Sequence, residues 1–579
     1  MSVAAAPAAT LLDEPHHDGS DLYVLERPSE LGGEATVRVD VPRDVDSVAV
    51  RWVEDGEARA RLAERDGDGR WVARFPLRNP VTNYRWLLAG GDVGYAWLNG
   101  TGLVDHDVPD ADDFVLSLDA GGPAWHLGAV VYEIFPDRFA SSGLAVEPPA
   151  WAVRRDWDDL PEGRSANTPF EWFGGDLRGI EQHLDQIESL GANVIYLTPV
   201  FPAGSTHRYD STTFDRVDPL LGGDEALVSL TRAAHARGMR VISDLTTNHT
   251  GDKHEWFVAG ERELYLFDAA GNYESWWGIA SLPKLNWRSA QLRRRIQAVA
   301  RRWQEPPYSL DGWRVDVANM SGRTGETDLN ANVSRTLREA VEPDTLLVAE
   351  HFHDFRPDVG RWHGAMNYAG FSRPVWTWLR DGLELPYFEL PVTMPRLGGD
   401  RVTATMRAFR AGVPWEFVLH SWAILDSHDS PRFRTMAGSR ERQLVGVGLQ
   451  MTTPGVPMLF AGDELGLEGA WGEDARRPMP WTRSGTWDAT LLAEYRRLIA
   501  LRRSRDALAR GGIRYAYVDE DVIAYLRETR DERLLCLASR APHEPVRVPF
   551  TSLQSLYGDN ADDGMLPADG PSFHIWRVV

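Results

Sequence analysis

Eight short apolar runs rich in β-branched residues, at 130–134, 193–197, 240–244, 313–316, 346–350, 365–368, 422–425 and 457–460, dominate the middle of this chain. Helical periodicity at 177–190 and 225–237 links the first three, and a further helix at 491–505 follows the last. Strands alternating with helices pair in parallel, and eight of them close a barrel. From the third run to the fourth is about 70 residues, more than a βα unit needs, so an insertion at about 250–287 is expected after His249. It carries the aromatics Tyr273, Trp276 and Trp277 and is expected to form one wall of a cleft.

The flanks read differently. Residues 21–122 alternate short strand-like runs with Gly and Asp turns, the pattern of a small β-sandwich, and strand-like runs return at 509–579. The expected fold is therefore α/β: a (β/α)8 TIM barrel at 123–508 with an N-terminal β-sandwich, the loop insertion and a C-terminal β-sandwich. Residues 1–20 read as a flexible arm. They lack a basic region followed by an adequate apolar run, so they do not resemble a secretory signal. No run of about 18 apolar residues suggests a membrane span. The one cysteine, Cys536, lies in an apolar run and has no intrachain partner, which favours a cytoplasmic location.

Charge narrows the ligand class. Lys plus Arg total 62 against 85 Asp plus Glu, a formal net charge of -23, which excludes an extensive electrostatic footprint for nucleic acid or anionic lipid and suits a neutral substrate.

Acids and imidazoles gather where the strands end: Ser243-Asp244-Leu245-Thr246-Thr247-Asn248-His249, Gly312-Trp313-Arg314-Val315-Asp316, Val348-Ala349-Glu350-His351 and Leu425-Asp426-Ser427-His428-Asp429. In a parallel barrel that edge carries the active site. Arg314 and Asp316, two apart in a strand, share a face, so a guanidinium lies beside a carboxylate and favours its ionised form. Glu350 ends the next strand, close enough to act as an acid across one bond. Read singly, each feature also suits a barrel layer, a loop cap or a turn. Read together they suit glycoside hydrolysis, in which two carboxyl groups flank the bond and an oxocarbenium-like centre develops between them. No two-His-one-carboxylate spacing occurs on one element, so no metal is expected, nor any cofactor.

These four segments resemble, in order, the signature regions of the α-amylase superfamily, glycoside hydrolase family 13. Val131-Tyr132-Glu133-Ile134-Phe135-Pro136-Asp137-Arg138-Phe139 is similar to its first barrel strand, His207-Arg208-Tyr209-Asp210 to the loop after its second, and Gly455-Val456-Pro457-Met458-Leu459-Phe460-Ala461-Gly462-Asp463-Glu464 to its eighth. Pro283-Lys284-Leu285-Asn286-Trp287, Asp316-Val317-Ala318-Asn319 and Ser427-His428-Asp429 are similar to the neopullulanase, cyclomaltodextrinase and maltogenic amylase branch. The resemblance implies a retaining hydrolase of short or cyclic α-1,4 glucans, with α-1,6 links left open. It implies Asp316 as nucleophile, Glu350 as acid/base and Asp429 as transition-state stabiliser. Tyr209, His249, Arg314 and His428 would line the site of the cleaved sugar, with Arg432 a further sugar contact, and a homodimer would form through the N-terminal domain.

Three departures bear on substrate. Met320 follows Val-Ala-Asn319 where the branch usually has glutamate, and His351 and Phe352 stand where tryptophan often follows the acid/base, so Asn319, Met320 and His351 are expected to shape the acceptor side. Ala140-Ser141-Ser142-Gly143 replaces the calcium loop of many members. Hydrolysis restricted to cyclic maltosyl-maltose, transglycosylation and an inactive sugar-binding subunit remain as alternatives.

Overall fold

The computed structural model describes residues 10–119, 121–143, 145–381, 384–387 and 390–579. Eight parallel strands form one sheet: β1 (Val131–Ile134), β2 (Val194–Leu197), β3 (Arg240–Thr246), β4 (Gly312–Asp316), β5 (Leu346–Ala349), β6 (Gly364–Ala365), β7 (Trp422–Ile424) and β8 (Val456–Phe460). Their order is β6-β5-β4-β3-β2-β1-β8-β7. The ring closes where Met366 bridges Trp422 in parallel and the Asn367 N–H donates to the Trp422 carbonyl at 3.0 Å.

Strand alternation decides which side chains meet inside. Val131, Val194, Ile242, Val348, Val456 and Met458 form the interior cluster, whereas Tyr132, Ile195, Val241, Val315 and Leu347 belong to the layer under the helices. Stepping two residues from the interior set toward the C-terminal edge gives Glu133, Tyr196, Asp244 and Glu350, with Arg314 and Asp316 on the strand between. The barrel core is therefore apolar below and ionic above.

The helix expected at 177–190 is two, Leu177–Gln182 and Leu184–Leu190. His183 interrupts them at φ -109, ψ 13, with its Nδ1 on the Gly179 carbonyl at 2.8 Å and its ring against Trp481, 4.2 Å between centroids. The first helix is started by Asp176, whose carboxylate accepts from the Gly179 N–H at 2.7 Å, a side-chain cap that helical periodicity does not report.

The N-terminal segment forms two antiparallel sheets around Val37, Val50, Trp52, Phe75 and Trp86. Residues 1–9 of the expected arm lie outside the described residues. Residues 10–20 depart from a mobile arm because polar groups anchor them: His16 exchanges backbone hydrogen bonds with Asp40, Asp18 accepts from the Ile513 N–H at 2.7 Å, and buried His17 reaches Tyr84 Oη at 2.7 Å.

At the other end, Gly512–Val518, Val522–Glu528, Arg533–Ser539, Leu553–Tyr557 and Ser572–Val578 make a five-stranded antiparallel sheet. Both of its faces are covered. Leu535, Leu537 and Trp576 meet Val546, Val548 and Leu566, whereas Cys536, Phe573 and Ile575 join the barrel core. The docking is tight at the helix Arg440–Thr452, where a Cβ on Gly448 would lie 2.3 Å from the Phe573 ring. Gly448→Val is expected to cost about 1–3 kcal/mol through overpacking, read as a lower midpoint in urea at unchanged slope.

Candidate active site

Arg314 is the organising charge of the barrel mouth. Fully buried, it donates from Nη1 to Asp244 at 2.8 Å and to Asp316 at 2.9 Å, while its Nη2 lies 2.9 Å from Glu350. β4 carries Arg314 and Asp316, β3 supplies Asp244 directly opposite Arg314 in register, and Glu350 follows β5 with its N–H on the Val315 carbonyl. Tyr196 and Tyr209 also donate to Asp244, at 2.7 and 2.9 Å. Burial and the Glu350 charge push the Asp316 carboxyl well above the usual range, against the pull of Arg314. Burial also raises Glu350, opposed by Arg314 and reinforced by Asp429. Two interacting buried carboxyls beside one guanidinium suit a shared proton, the condition for one to be base or nucleophile while the other is acid.

The loops bend sharply to make this arrangement. Val317, directly after β4, has φ 44, unfavourable for a β-branched residue, and its N–H donates to Glu350 Oε2 at 2.7 Å. Arg208, with φ 65, is held by Asp218 at 2.8 Å and turns the chain into Tyr209. Strain here is maintained by the surrounding bonds and fixes the position of the acid oxygen.

Across the mouth, His428 sits between two acids, its Nδ1 2.5 Å from Glu133 and its Nε2 3.1 Å from Asp429. Tyr209 Oη is 2.7 Å from the same Nε2. Burial opposes its charge, but Asp429 and Glu133 prevail and raise its pKa to about 10, so His428 is an imidazolium at neutral pH. Burial likewise opposes Asp429 ionisation, yet His428 and Arg476, the latter 3.0 Å away, hold that carboxyl well below the usual range. The Asp429 side chain is 28% exposed, the most open of the three carboxylates.

The sign of the resulting pH dependence follows from these directions. The His428 contribution to stability is complete below its ordinary value near 6.5 and disappears progressively as pH rises from there through about 10. The Asp429 contribution is complete above about 3.9 and fades as pH falls below it. His428→Gln is therefore expected to abolish a decline in unfolding free energy between about pH 6.5 and 10, measured by urea denaturation across that range.

His249, after β3, completes the floor. Its Nε2 is 4.0 Å from Asp316 Oδ2, and neither atom has a hydrogen-bond partner among the described protein groups. Burial lowers its pKa to about 3, so the ring is neutral and can meet a hydroxyl. The insertion is bolted beside it by the Trp287 Nε1–H donating to Thr247 at 2.8 Å and by a bridge between His249 and Lys284. Trp276 lies 5.7 Å from the His249 ring and stacks on Trp277 at 5.1 Å and 7°. Trp277, 62% exposed at φ 50, presents its free face at the end of this aromatic wall.

The remaining expected contacts fare differently. Arg432 is not a free sugar contact. Only 1% exposed, it donates to Asp463 at 2.7 Å and to the Ala461, Ala475 and Phe460 carbonyls, bracing the loop after β8. His351 is buried and turned into its own loop, with Nε2 3.3 Å from Asp358 and Nδ1 accepting from the His353 N–H, so it shapes that loop instead of presenting a nitrogen to substrate. Asn319 and Met320 are half-buried in the turn after β4, where the Asn319 carbonyl accepts from Arg323 at 2.6 Å.

Four site residues were not assigned roles from sequence: Glu133, Tyr196, Asp244 and Arg476. The first three share the inward parity of the apolar residues before them, a usable signal. Arg476 lies in a loop 47 positions beyond Asp429 and carries no local signal. Cavity size does not locate the site either. A cavity of about 750 Å³ lies where the sandwich, the helix Gly399–Arg410 and the C-terminal sheet meet, and none of the strand-end carboxylates lines it. The ionic mouth is distinguished by chemistry.

The sequence matches the family described as "Alpha amylase, catalytic domain" over residues 133–277 and 261–511. It is 29% identical to a cyclomaltodextrinase from Geobacillus thermopakistaniensis over 452 residues, covering 74% of this chain and 71% of that one. It is 31% identical to neopullulanase 2 of Thermoactinomyces vulgaris over 433 residues, covering 71% and 69%. Among solved structures, the ligand-free cyclic α-maltosyl-(1→6)-maltose hydrolase from Arthrobacter globiformis aligns with TM-score 0.67 at 30% identity, over 78% of this chain and 99% of that one. With the barrel and its ring of strand-end acids in place, the chain belongs to the α-amylase family.

Proposed function

We propose that this enzyme hydrolyses α-glucosidic bonds of short or cyclic maltooligosaccharides by double displacement, with Asp316 attacking the anomeric carbon and Glu350 first protonating the leaving oxygen, then activating water. The observation that carries the reading is the single guanidinium of Arg314 holding Asp316 and Glu350 side by side, with the unpartnered Asp316 Oδ2 as the attacking atom. Asp429, kept anionic by His428, faces the positive charge that develops on the ring. Tyr209, His249 and His428 surround the same sugar, and the family likeness supports the α-glucan class.

Glu350→Gln tests the acid/base role. It is expected to lower kcat/KM on maltodextrins by about 10²–10⁴-fold, while an activated aryl glucoside loses less in its first step because its leaving group needs no proton. Azide is expected to rescue the second step and give a glycosyl azide. Equal loss on both substrates without azide rescue would assign the proton to another group.

A narrower reading, cyclic maltosyl-maltose as preferred substrate, is favoured by the Arthrobacter likeness and by Met320 in the turn that follows Asp316. Comparing kcat/KM on this tetrasaccharide, cyclodextrins, pullulan and maltodextrins separates the two. The Trp276–Trp277 wall belongs to substrate binding on either reading. Trp277→Ala is expected to raise KM for oligosaccharides about tenfold with kcat nearly unchanged, a ground-state loss of stacking.

We also place the enzyme in the cytoplasm, as its single buried thiol suits a reducing compartment, and as a homodimer through the N-terminal sandwich, where Leu31 and Leu62 are 56% and 68% exposed. A monomeric mass by light scattering would overturn the dimer, and recovery of the enzyme outside the cell the location. Among the described residues, no helix is long and apolar enough to cross a membrane.

A further inference from the structure

Far from the barrel mouth in sequence, a cleft of about 510 Å³ opens between the N-terminal sandwich and the C-terminal sheet, and five arginines line it. Two of them are neutralised: Arg514 pairs with Asp40 at 2.7 Å and Arg533 with Glu528 at 2.6 Å. The other three, Arg38, Arg70 and Arg530, have no carboxylate within 4.0 Å among the described residues. The nearby Asp66 is turned into its own loop, accepting the backbone N–H groups of Asp68 and Arg70 at 3.0 and 2.9 Å. Arg38 donates from Nη2 to the Leu22 carbonyl, but its Nε is buried without a partner. Burial depresses its pKa, the charges of Arg70 and, more weakly, Arg530 depress it further, and Tyr23 and Asp66 oppose them.

Three arginines lining one cleft without a direct carboxylate partner stand out in a chain with net charge -23. Such a concentration draws an anion, and guanidinium forks match the tetrahedral oxygens of a phosphate better than they match water. We propose that this cleft binds a small phosphate ester, a sugar phosphate in size and polarity, whose phosphate is held by Arg38, Arg70 and Arg530. The volume suits a small ligand rather than a polymer, and Tyr23, Leu22 and Leu25 give its non-phosphate part a wall.

The placement gives binding a structural consequence. Arg38 lies on the sandwich strand Glu34–Val39, and Arg70 precedes the strand Trp71–Pro76 of the same sheet. Arg530 lies in the turn between the C-terminal strands Val522–Glu528 and Arg533–Ser539. One phosphate bonded to all three ties the two β-domains together, so occupancy stabilises the full chain.

The test uses the intact enzyme with glucose 6-phosphate, inorganic phosphate and glucose as probes, followed by titration calorimetry and thermal unfolding. Glucose 6-phosphate is expected to bind saturably at one site per chain, more tightly than inorganic phosphate, and to raise Tm, with binding weakening as salt is added. Glucose is expected to leave Tm unchanged at the same concentration. The double variant Arg70→Gln/Arg530→Gln, at half-buried and exposed positions, is expected to bind at least about tenfold more weakly while retaining wild-type hydrolytic activity as evidence of folding. Binding that persists unchanged in this variant, no saturable binding, glucose matching its phosphate, or a marked preference for a polyanion such as heparin would each overturn the proposal.

Discussion

Replacing Asp316 with asparagine is expected to lower kcat on maltodextrins by at least about 10⁴-fold while leaving substrate affinity within a few-fold of the wild type. The substitution removes the attacking oxygen but keeps the shape of a side chain that is only 4% exposed, so the cleft around it persists. The substitution also removes a buried carboxyl whose pKa, like that of Glu350, is pushed up by burial and by the neighbouring acids. The variant is therefore expected to be no less stable than the wild type near neutral pH. Steady-state kinetics give kcat, calorimetry on the inert variant gives the affinity, and a melting curve gives the stability. Unchanged kcat would remove Asp316 from the reaction, and loss of affinity in step with kcat would make its role binding.

Arg314→Met is expected to have the opposite signature, a large loss of both stability and activity. Its removal leaves Asp244, Asp316 and Glu350 without the cation that touches all three in the interior. Breaking a buried ion pair by deleting one partner costs about 3–5 kcal/mol. The deficit is expected to shrink as pH falls. Without the cation the folded-state pKa values of Asp316 and Glu350 rise further, because Arg314 is what opposes their burial. A raised carboxyl costs stability above its unfolded value and ceases to cost it once both states are protonated. Urea unfolding at pH 7 and near pH 4.5 measures both effects. Wild-type stability at pH 7 would mean that the guanidinium is not what makes the acidic mouth tolerable.

Much of this architecture is legible before any coordinates. The eight strands fall within a few residues of their expected limits because buried parallel strands are continuous apolar runs, and their ends carry the acids. The insertion is legible as excess length between β3 and β4. What periodicity misses is side-chain chemistry that interrupts or extends an element. The break at His183 depends on a ring held by Gly179 and Trp481, and the anchoring of residues 10–20 on partners some 500 positions away, such as Ile513.

The site divides in the same way. Arg314 beside Asp316 follows from two-residue spacing in a strand, whereas Asp244 becomes the second ligand of Arg314 only through strand register. Resemblance alone placed Arg432 and His351 near the sugar, but the first braces carbonyls after β8 and the second binds Asp358. Local sequence cannot distinguish an arginine that reaches into a cleft from one folded back under it.

Trapping the covalent intermediate tests the proposed chemistry most directly. A 5-fluoro-α-glucosyl fluoride forms its glycosyl-enzyme faster than the ester hydrolyses, so the labelled protein accumulates for digestion and peptide mass spectrometry. Labelling of the β4 peptide at Asp316, with α-configured product released first from natural substrate, is the expected result. Labelling of any other residue, or turnover that releases the β-anomer first with no labelled peptide, would contradict nucleophilic attack by Asp316.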